Sequence, residues 1–315
     1  ALFGCADIRI ATRQSWIGMA GPAMIEGGGL GTFAAKDIGP AAQQLSNGVV
    51  DILADDEAEA TRLAKRLLSY FQGDLTEWQY ADQSQLLSLL PQDRRYTYDV
   101  RRIIETLADT DSFIELQRAY GAGIICGFIR LQGRAIGLIC NDCKVLGGAI
   151  DGEASLKAAR FIKLCNHFKL PLLSLCDTPG FMVGPDSESQ GAVNKMSALF
   201  SAGAQFTAPL VAIFLRKAYG LGAMAMAGGS LAAPRYSAAW PTGEFGAMGL
   251  EGAVALGFKK ELEHAAEEGA REQLFASLVA QAYERGKATE AAAFLEIDAV
   301  IDPADTRAMV LLALG

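Results

Sequence analysis

The sequence predicts an α/β layered fold in which parallel strands alternate with helices. Residues 172–176 and 210–215 are apolar runs of strand length, and a glycine-containing turn follows each of them. The repeated order of strand, turn and helix implies crossover connections between parallel strands. Ligands of such folds bind beyond the carboxyl ends of the strands, so both turns lie where a site is expected.

Length and composition agree with this class and narrow the function. The chain has 315 residues, of which 51% are hydrophobic, 20% are charged and 34 are glycine, which predicts close packing and more than one domain. A formal net charge of −8 argues against nucleic acid as a partner, because phosphate binding requires a basic face. The sequence has no uninterrupted apolar run of membrane-spanning length and no secretion signal, so nothing predicts a membrane location.

Residues 1–72 begin with short apolar segments between glycine turns and end in an amphipathic helical pattern. Asp55 and Asp56 are suitable residues to begin that helix. Residues 73–96 are polar, which predicts a linker. Because a strand-like pattern starts almost at the first residue, we expect the sequence to begin inside a longer protein.

Residues 97–315 carry the elements of the layered fold. Asp99 is placed to cap a helix, and residues 123–129 and 135–141 predict two strands that form a hairpin or lie side by side. Residues 259–287 are helical in pattern and strongly charged. Their acidic side chains are predicted to face solvent: Glu261, Glu263, Glu267 and Glu268.

The helix predicted before residue 172 carries a basic stripe. Lys157, Arg160 and Lys163 fall opposite an apolar face that runs from Ala158 to Phe168. A solvated helix face is one interpretation of this stripe, and contact with the phosphates of a nucleotide-like ligand is the other.

The six cysteines lie in apolar stretches, as is typical of reduced core thiols in a cytoplasm or, in a eukaryote, a mitochondrial matrix. Cys140 and Cys143 form a C-x-x-C pair, but no second pair follows at zinc-ribbon spacing. The sequence therefore predicts buried thiols and no metal site.

Residues suited to acid–base chemistry are few. His167 and His264 are the only histidines, and both fall on helical segments. Glu244 and Glu251 lie on a glycine-rich segment, where solvent-facing or capping roles are expected. No G-x-S-x-G elbow is present, so the sequence does not predict a serine nucleophile.

The segment YGLGAM at 219–224 follows the strand at 210–215 and leads into a helix of small residues. Glycines at a strand-to-helix turn let backbone N–H groups point into a cavity, and the helix start adds partial positive charge. This suits an anion that forms only during a reaction, such as an enolate oxygen. A tight packing turn is the alternative, because a single glycine-rich turn is a weak motif.

Two similar segments, WIGMAGPAMIEGGGLG and WPTGEFGAMGLEGAVALG, suggest an internal repeat. At a constant offset several residues are identical, and among them Ala1, Gly4, Trp16 and Ala23 match Ala225, Gly228, Trp240 and Ala247. If the repeat is real, the chain holds one complete copy of a duplicated domain and the end of another, whose glycine turn would precede the first residue.

These residues resemble a known family, the carboxyltransferase (beta) subunits of biotin-dependent acyl-CoA carboxylases such as propionyl-, acetyl- and methylcrotonyl-CoA carboxylase. The similar stretches follow the family's order: SLKAARFIKLCNHFKLPLLSLCDTPGF (155–181), RKAYGLGAMAM (216–226), AAWPTGEFGAMGLEGAV (238–254) and IDAVIDPADTR (297–307). The family has two crotonase (ClpP)-like domains, each a β-β-α superhelix. The resemblance implies the end of an N-terminally truncated first domain at 1–72, a linker at 73–96 and a complete second domain at 97–315.

By this resemblance, the chain moves CO2 from carboxybiotin to the α-carbon of a short-chain acyl-coenzyme A through an enolate. The cofactor is the base, and backbone N–H groups stabilise the charge. The implied site has three groups: Gly222 and Ala223 in the oxyanion hole on the biotin side, Gly180, Phe181, Tyr219 and Gly220 around biotin, and Ala225 and Met226 towards the acyl-CoA. The turn is longer than the YGGAY of many members.

The resemblance also implies partners: a biotin carboxylase subunit, a biotin carboxyl carrier protein that holds the biotin, and further copies of the chain in a dimer to hexamer. It implies no metal in this chain. Two alternatives remain at this point. One is a biotin-dependent decarboxylase or transcarboxylase, which shares the site; the other is a catalytically silent assembly or binding module, since the family's first domain supplies much of the acyl-CoA pocket.

Overall fold

The computed structural model describes residues 1–265 and 268–315, and it confirms the predicted α/β class. The strands of this part of the chain are β1 Ile10–Thr12, β2 Ile52–Ala54, β3 Ile114–Leu116, β4 Ile124–Leu131, β5 Arg134–Asn141, β6 Leu172–Thr178, β7 Leu210–Tyr219, β8 Tyr236–Ala239, β9 Glu244–Gly246 and β10 Ala299–Val300. The helices are α1 Leu2–Cys5, α2 Pro22–Gly27, α3 Ala41–Ser46, α4 Glu57–Ser69, α5 Val100–Leu107, α6 Gly152–His167, α7 Pro185–Ser189, α8 Ala192–Ala204, α9 Gly220–Met226, α10 Leu250–Gly257, α11 Lys259–His264, α12 Glu268–Arg285, α13 Ala288–Ala293 and α14 Thr306–Leu314.

Most strands belong to one eight-stranded sheet of order β10-β8-β7-β6-β5-β4-β3, in which β9 also pairs with β7. β4 and β5 are antiparallel, so the two strands predicted there form a hairpin. All pairings from β5 to β10 are parallel, which confirms the predicted crossovers. β1 and β2 form a separate two-stranded parallel sheet.

The central strands β6 and β7 are covered on both faces. One core cluster packs α6 and α8 against the sheet, and a second packs α5 and α14 against the opposite face. Parallel strands enclosed in this way have nearly continuous apolar sequences, which is why both were recognisable. β7 continues beyond the predicted residue 215 to Tyr219, because Arg216 is itself buried in an ion pair with Asp177.

The capped helices begin as predicted. The Asp56 carboxylate accepts from the Glu59 N–H at 2.7 Å at the start of α4, and the Asp99 carboxylate accepts from the Arg101 N–H at 3.1 Å at the start of α5. The segment predicted as a linker contains the 3₁₀ turn Gln83–Ser88. The domain boundaries themselves stay predictions.

The two sheets contain a similar arrangement of elements. β1 pairs with β2 and β8 pairs with β10, in both cases in parallel, and a helix follows the second strand of each pair, α4 and α14 respectively. α1 and α9 precede the first strands. This common order supports the interpretation of an internal repeat. Its two tryptophans differ in environment, since Trp16 is exposed and Trp240 is buried.

The basic stripe predicted on α6 does not exist as a surface, and both interpretations of it are wrong. Lys157 is only 2% exposed, and Arg160 forms an ion pair with Asp51 at 2.8 Å. Lys163 alone is exposed. Helical periodicity assumed one buried face, whereas α6 packs against both β4 and α8, and its Arg160 binds Asp51, the residue before β2.

Replacing Lys157 with methionine is expected to raise the free energy of unfolding. The Lys157 ammonium has no hydrogen-bond partner among the described residues, and burial lowers its pKa from 10.5. Exchanging buried ion pairs for apolar groups of similar volume is often neutral or stabilising by about 1–4 kcal/mol, and a buried ammonium without a partner favours the stabilising outcome. Because the unfolded chain binds this proton more tightly, the gain is greatest below the lowered folded pKa and shrinks as pH rises towards 10.5.

Urea unfolding at pH 7 and pH 10 measures this effect. Lys163→Met on the same helix is the matched control, since that side chain is exposed. Equal stability of Lys157→Met and the wild type at pH 7 would contradict a penalty from the buried ammonium.

The thiols are structural with one exception. Five cysteines are buried, and burial raises the pKa of the Cys126 thiol to about 12. Cys5 is exposed, contrary to the prediction of a core thiol, because α1 buries none of its residues. Of the predicted acidic run, Glu261 and Glu263 are exposed as expected, whereas Glu267 and the side chain of Glu268 lie outside the described residues.

The described residues lack both a membrane-spanning helix and a cluster of metal ligands. No helix there combines the length and the hydropathy that crossing a bilayer requires. The same residues contain no group of three or more His, Cys, Asp or Glu side chains placed to hold a metal ion.

Candidate active site where two glycine turns meet

The carboxyl ends of β6 and β7 bring the two predicted turns together. The strands pair in parallel along their length, with Thr178 opposite Ala218 after a register shift. The chain leaves β6 through Pro179-Gly180-Phe181 and leaves β7 directly into α9. The site predicted from two separate motifs is therefore one place in the fold.

Gly222 and Gly180 are in contact through their backbones. A Cβ atom on Gly222 would lie 2.7 Å from the Gly180 Cα and 3.2 Å from the Phe181 nitrogen. Gly180 also has φ +118°, a conformation that residues with a side chain rarely adopt. The two glycines thus allow an approach of backbone to backbone that no other residue permits.

Backbone N–H groups of both turns lie at this contact. The Gly180 N–H donates to the Thr178 Oγ1 at 3.1 Å, and the Gly180 carbonyl accepts from the Ile150 N–H at 3.0 Å. The Phe181 N–H has no acceptor among the described residues. In α9 the N–H groups that precede the first helical hydrogen bond are those of Gly220, Leu221 and Gly222.

Tyr219 anchors the start of α9. It is the N-cap residue, it is 4% exposed, and its O–H donates to the Glu244 Oε2 at 2.8 Å. Gly220 follows with φ +57°, and a Cβ there would lie 2.7 Å from the Ala247 carbonyl oxygen. The helix start is therefore fixed by a side-chain hydrogen bond before a residue that has to be glycine.

Glu244 is half-buried, so its prediction as a solvent-facing or capping residue is wrong. The pairing of β9 with β7 places it opposite Lys217 and directs its carboxylate to Tyr219. Burial raises the pKa of the Glu244 carboxyl, against the lowering effects of the Tyr219 hydrogen bond and of Arg94. Burial and the neighbouring carboxylate also raise the pKa of the Tyr219 phenol, which keeps it a donor.

A buried ion pair lies beneath the two turns. Asp177, the last but one residue of β6, accepts from Arg216 on β7 at 3.0 Å, from the Tyr98 O–H at 2.8 Å and from the Lys217 N–H at 3.1 Å. Asp177 is fully buried and Arg216 is 4% exposed. These contacts tie the strand ends together immediately before the chain enters both turns.

The other predicted residues lie around this centre in different ways. Phe181 is half-buried, with its ring 5.9 Å from that of Phe200. Ala225 and Met226 lie on the inner face of α9 and are fully buried in the core. A cavity of 330 Å³ lies beside the opposite face of the helix, lined by Gly220, Ala223, Met224, Leu231, Phe245 and Phe294 among others.

The centre is built from backbone donors and carries no imidazole. His167 and His264 are exposed at the ends of α6 and α11, and Glu251 is exposed as predicted. Fixed N–H groups in a site partly closed to water stabilise an oxygen that becomes negative in a transition state. The arrangement is therefore suited to reactions in which a bound cofactor or substrate supplies the base.

Asp177, Arg216 and Glu244 are the residues of the candidate site that sequence reasoning missed. Charged residues within or beside an apolar strand were the available signal. Asp177 directly follows the predicted strand at 172–176, and Arg216 directly follows the predicted strand at 210–215. An ion pair between the ends of two adjacent strands could therefore have been predicted.

Comparison with known proteins supplies the family. The model of the carboxyl transferase domain family matches residues 4–315. The beta6 subunit of a biotin-dependent acetyl-/propionyl-coenzyme A carboxylase from Mycobacterium tuberculosis is 35% identical over 322 residues, which cover 98% of this chain and 66% of that protein.

Two solved structures are similar to the whole described fold. A single-chain, multi-domain long-chain acyl-CoA carboxylase has a TM-score of 0.92 at 52% identity, covering 98% of this chain and 30% of that one. The transcarboxylase 12S structure, a hexamer assembly with methylmalonyl-coenzyme A bound, has a TM-score of 0.88 at 30% identity, covering 99% of this chain and 61% of that one. The chain thus spans less than two thirds of these relatives. It belongs to the carboxyl transferase domain family, the crotonase-fold carboxyltransferases of biotin-dependent acyl-CoA carboxylases and transcarboxylases.

Proposed function

We propose that this chain carries the biotin-side half of a carboxyltransferase active site, and that the whole protein moves a carboxyl group from biotin on a carrier protein to the α-carbon of an acyl-CoA. The observation that carries the proposal is the contact between the two glycine turns. There the nitrogen of Phe181 lies beside Gly222 in the first turn of α9, where the N–H groups precede the first helical hydrogen bond.

The residues at this contact fit biotin. Gly180 and Gly222 meet backbone to backbone, and a Cβ on Gly222 would collide with Gly180, so the surface beside their contact consists of backbone. Amide N–H donors suit a ureido or thioester oxygen that gains negative charge. When bound, biotin supplies the carboxyl group and the base. The residues of this chain hold the oxygen and exclude water.

Each predicted residue has a proposed role. Gly222 and Phe181 are the proposed donors. Helix geometry pairs the N–H of Ala223, the next residue along α9, with the Tyr219 carbonyl, so we propose that Ala223 lines the site and does not donate. Gly180 and Gly220 provide the close approach. No metal enters this scheme, since backbone dipoles carry the electrostatic role.

The substrate that we propose is an acyl-CoA with a long acyl chain, in place of the short chain first expected. The 52% identity to a long-chain acyl-CoA carboxylase supports it. The 330 Å³ cavity beside Ala223 and Met224 offers Phe245 and Phe294 as an apolar wall for part of such a chain, whereas Arg285, Glu290 and Glu296 make the rest of its lining charged. Ala225 and Met226 lie behind this wall and contribute to its shape.

Met224→Trp is expected to lower kcat/KM for palmitoyl-CoA much more than for propionyl-CoA, because the larger ring fills the cavity. Excluding one methylene from an apolar pocket lowers kcat/KM by roughly 10- to 200-fold. We therefore expect the losses of kcat/KM for the two substrates to differ by at least about tenfold. Leu256→Trp, at an exposed position of α10, is the control. Equal losses for both substrates would contradict the assignment of the cavity to the acyl chain.

The proposed partners are those of a biotin-dependent carboxylase: a biotin carboxylase component, a biotin carboxyl carrier component and further copies of the chain. The hexamer assembly of the 12S relative supports self-association. Transcarboxylation between two CoA esters is the second candidate function, because the 12S relative is a transcarboxylase at 30% identity. Dependence of the reaction on ATP and bicarbonate separates the two.

Carboxyl transfer from malonyl-CoA to biocytin by the full-length protein tests the proposal. Carboxybiocytin and acetyl-CoA are the expected products, and longer carboxyacyl-CoA donors are expected to react faster. Absence of transfer with every donor, from malonyl-CoA to carboxylated palmitoyl-CoA, would overturn the proposal and leave a silent binding module.

A further inference from the structure

We propose that Arg94, in the segment predicted as a linker, is a positioning residue for the candidate site and acts on it through Glu244 and Tyr219. This inference rests on the proposed function, because it concerns the same site. It assigns a role in the reaction to a segment that sequence reasoning treated as a passive connection.

The Arg94 side chain joins three elements around the site. Its Nη1 lies 4.0 Å from the Glu244 Oε1 on β9, and its Nη2 lies 3.9 Å from the Glu251 Oε1 on α10. Its guanidinium carbon lies 3.2 Å from the centroid of the Tyr283 ring on α12, and the Tyr283 O–H donates to the Glu251 Oε1 at 2.6 Å. Arg94 thus lies between two carboxylates and on an aromatic face.

Glu244 connects Arg94 to the turn at the start of α9. Its Oε1 faces Arg94, and its Oε2 accepts from the Tyr219 O–H at 2.8 Å. Tyr219 is the N-cap residue of α9, immediately before the N–H groups proposed to hold the oxyanion. The position of the Glu244 carboxylate therefore sets the position of the helix start.

The backbone around Arg94 is fixed to the same strand ends. Arg216 donates from its Nη1 to the Arg94 carbonyl at 3.0 Å and to the Tyr96 carbonyl at 2.8 Å. The same guanidinium pairs with Asp177, which precedes the Gly180 turn. Both turns of the site are therefore connected to residues 94–96, one through a side chain and one through the backbone.

Arg95 provides the matched comparison. It is the next residue, carries the same charge and is 82% exposed at its side chain, compared with 43% for Arg94. Its ion pair, at 2.7 Å, is with Asp93, within the segment itself. If kcat depended only on the charge of the segment, substitution of either arginine would lower it. If Arg94 positions the site, only substitution of Arg94 lowers kcat.

The groups that face Glu244 determine its response to pH. They are Tyr219, Arg216 and Lys217 from β7, Asp177 from β6, Arg94 from residues 94–96, Tyr283 from α12 and Lys287, which forms a bridge with Glu244. Glu251 from α10 shares Arg94 with Glu244. Burial raises the pKa of Glu244, and Arg94 opposes that rise. Loss of Arg94 is therefore expected to shift protonation of Glu244, and the acid limb of the kcat profile, to higher pH.

The test compares Arg94→Gln with Arg95→Gln in the full-length protein by carboxyl transfer between malonyl-CoA and biocytin. We expect Arg94→Gln to lower kcat by roughly 10- to 100-fold with KM for malonyl-CoA little changed, since a small misplacement of catalytic groups has costs of this order. Its acid limb is expected at higher pH. Arg95→Gln is expected to match the wild type in both respects.

Two further variants separate positioning from folding. Arg94→Lys keeps the charge and is expected to keep the wild-type acid limb while recovering part of kcat. In a Glu244→Gln background, Arg94→Gln is expected to cause no additional loss, because the two residues act as a unit. Equal kcat for Arg94→Gln and Arg95→Gln, or additive losses in the double variant, would overturn the inference. Absence of transfer in the wild type would instead count against the proposed function.

Discussion

Gly222→Ala is expected to lower kcat for carboxyl transfer by roughly 100- to 1,000-fold, the cost of losing one oxyanion donor. The added methyl would lie 2.7 Å from the Gly180 Cα and 2.8 Å from the Gly180 carbonyl carbon, so one turn has to move away from the other. That movement separates the Phe181 N–H from the first turn of α9. The assay is carboxyl transfer from malonyl-CoA to biocytin.

Gly257→Ala is the matched control. Gly257 is a helical glycine on α10, and a Cβ there would meet nothing within 4 Å. Its variant is expected to retain wild-type kcat. Thermal unfolding of both variants checks that the protein remains folded. Retention of full activity by folded Gly222→Ala would show that the backbone contact is not part of the site.

Asp177→Asn is expected to destabilise the protein by about 3–5 kcal/mol, the usual cost of removing one partner of a buried ion pair. The change would leave the Arg216 guanidinium, 4% exposed, without a counter-charge. It would also weaken the hydrogen bond from Tyr98, whose phenol keeps its proton because burial and Asp177 raise its pKa. Urea unfolding measures the loss of stability.

A second substitution distinguishes the ion pair from a packing effect. Asp177→Asn combined with Arg216→Met removes both charges and is expected to recover much of the stability lost in either single variant. Asp93→Asn, at the exposed pair with Arg95, is expected to leave the unfolding midpoint unchanged. Strictly additive losses at Asp177 and Arg216 would contradict a coupled pair.

The parts of the fold that were predictable are those with strong local signals. β6 and β7 have continuous apolar sequences because both faces of the sheet are covered, and Asp56 and Asp99 cap their helices with their own side chains. The two turns were recognisable because glycine is required where backbones touch. Such signals lie within a few residues of one another.

The parts that could not be predicted depend on residues distant in sequence. Lys157 appeared to lie on a polar helix face. Its helix α6 packs against both β4 and α8, however, and the Lys157 side chain is buried. Glu244 appeared solvent-facing, yet β9 adds to the edge of β7 and turns it towards Tyr219. Arg94 lay in a polar segment whose contacts with α10 and α12 no local pattern encodes.

The central claim is that an oxygen of biotin is held beside the contact of the two glycine turns, and a crystal structure of the full-length protein with biotin bound tests it most directly. The account predicts the ureido oxygen within hydrogen-bond distance of the Phe181 N–H and of an N–H in the first turn of α9. A ureido oxygen bound elsewhere, with the contact between Gly180 and Gly222 unchanged and unoccupied, would contradict it.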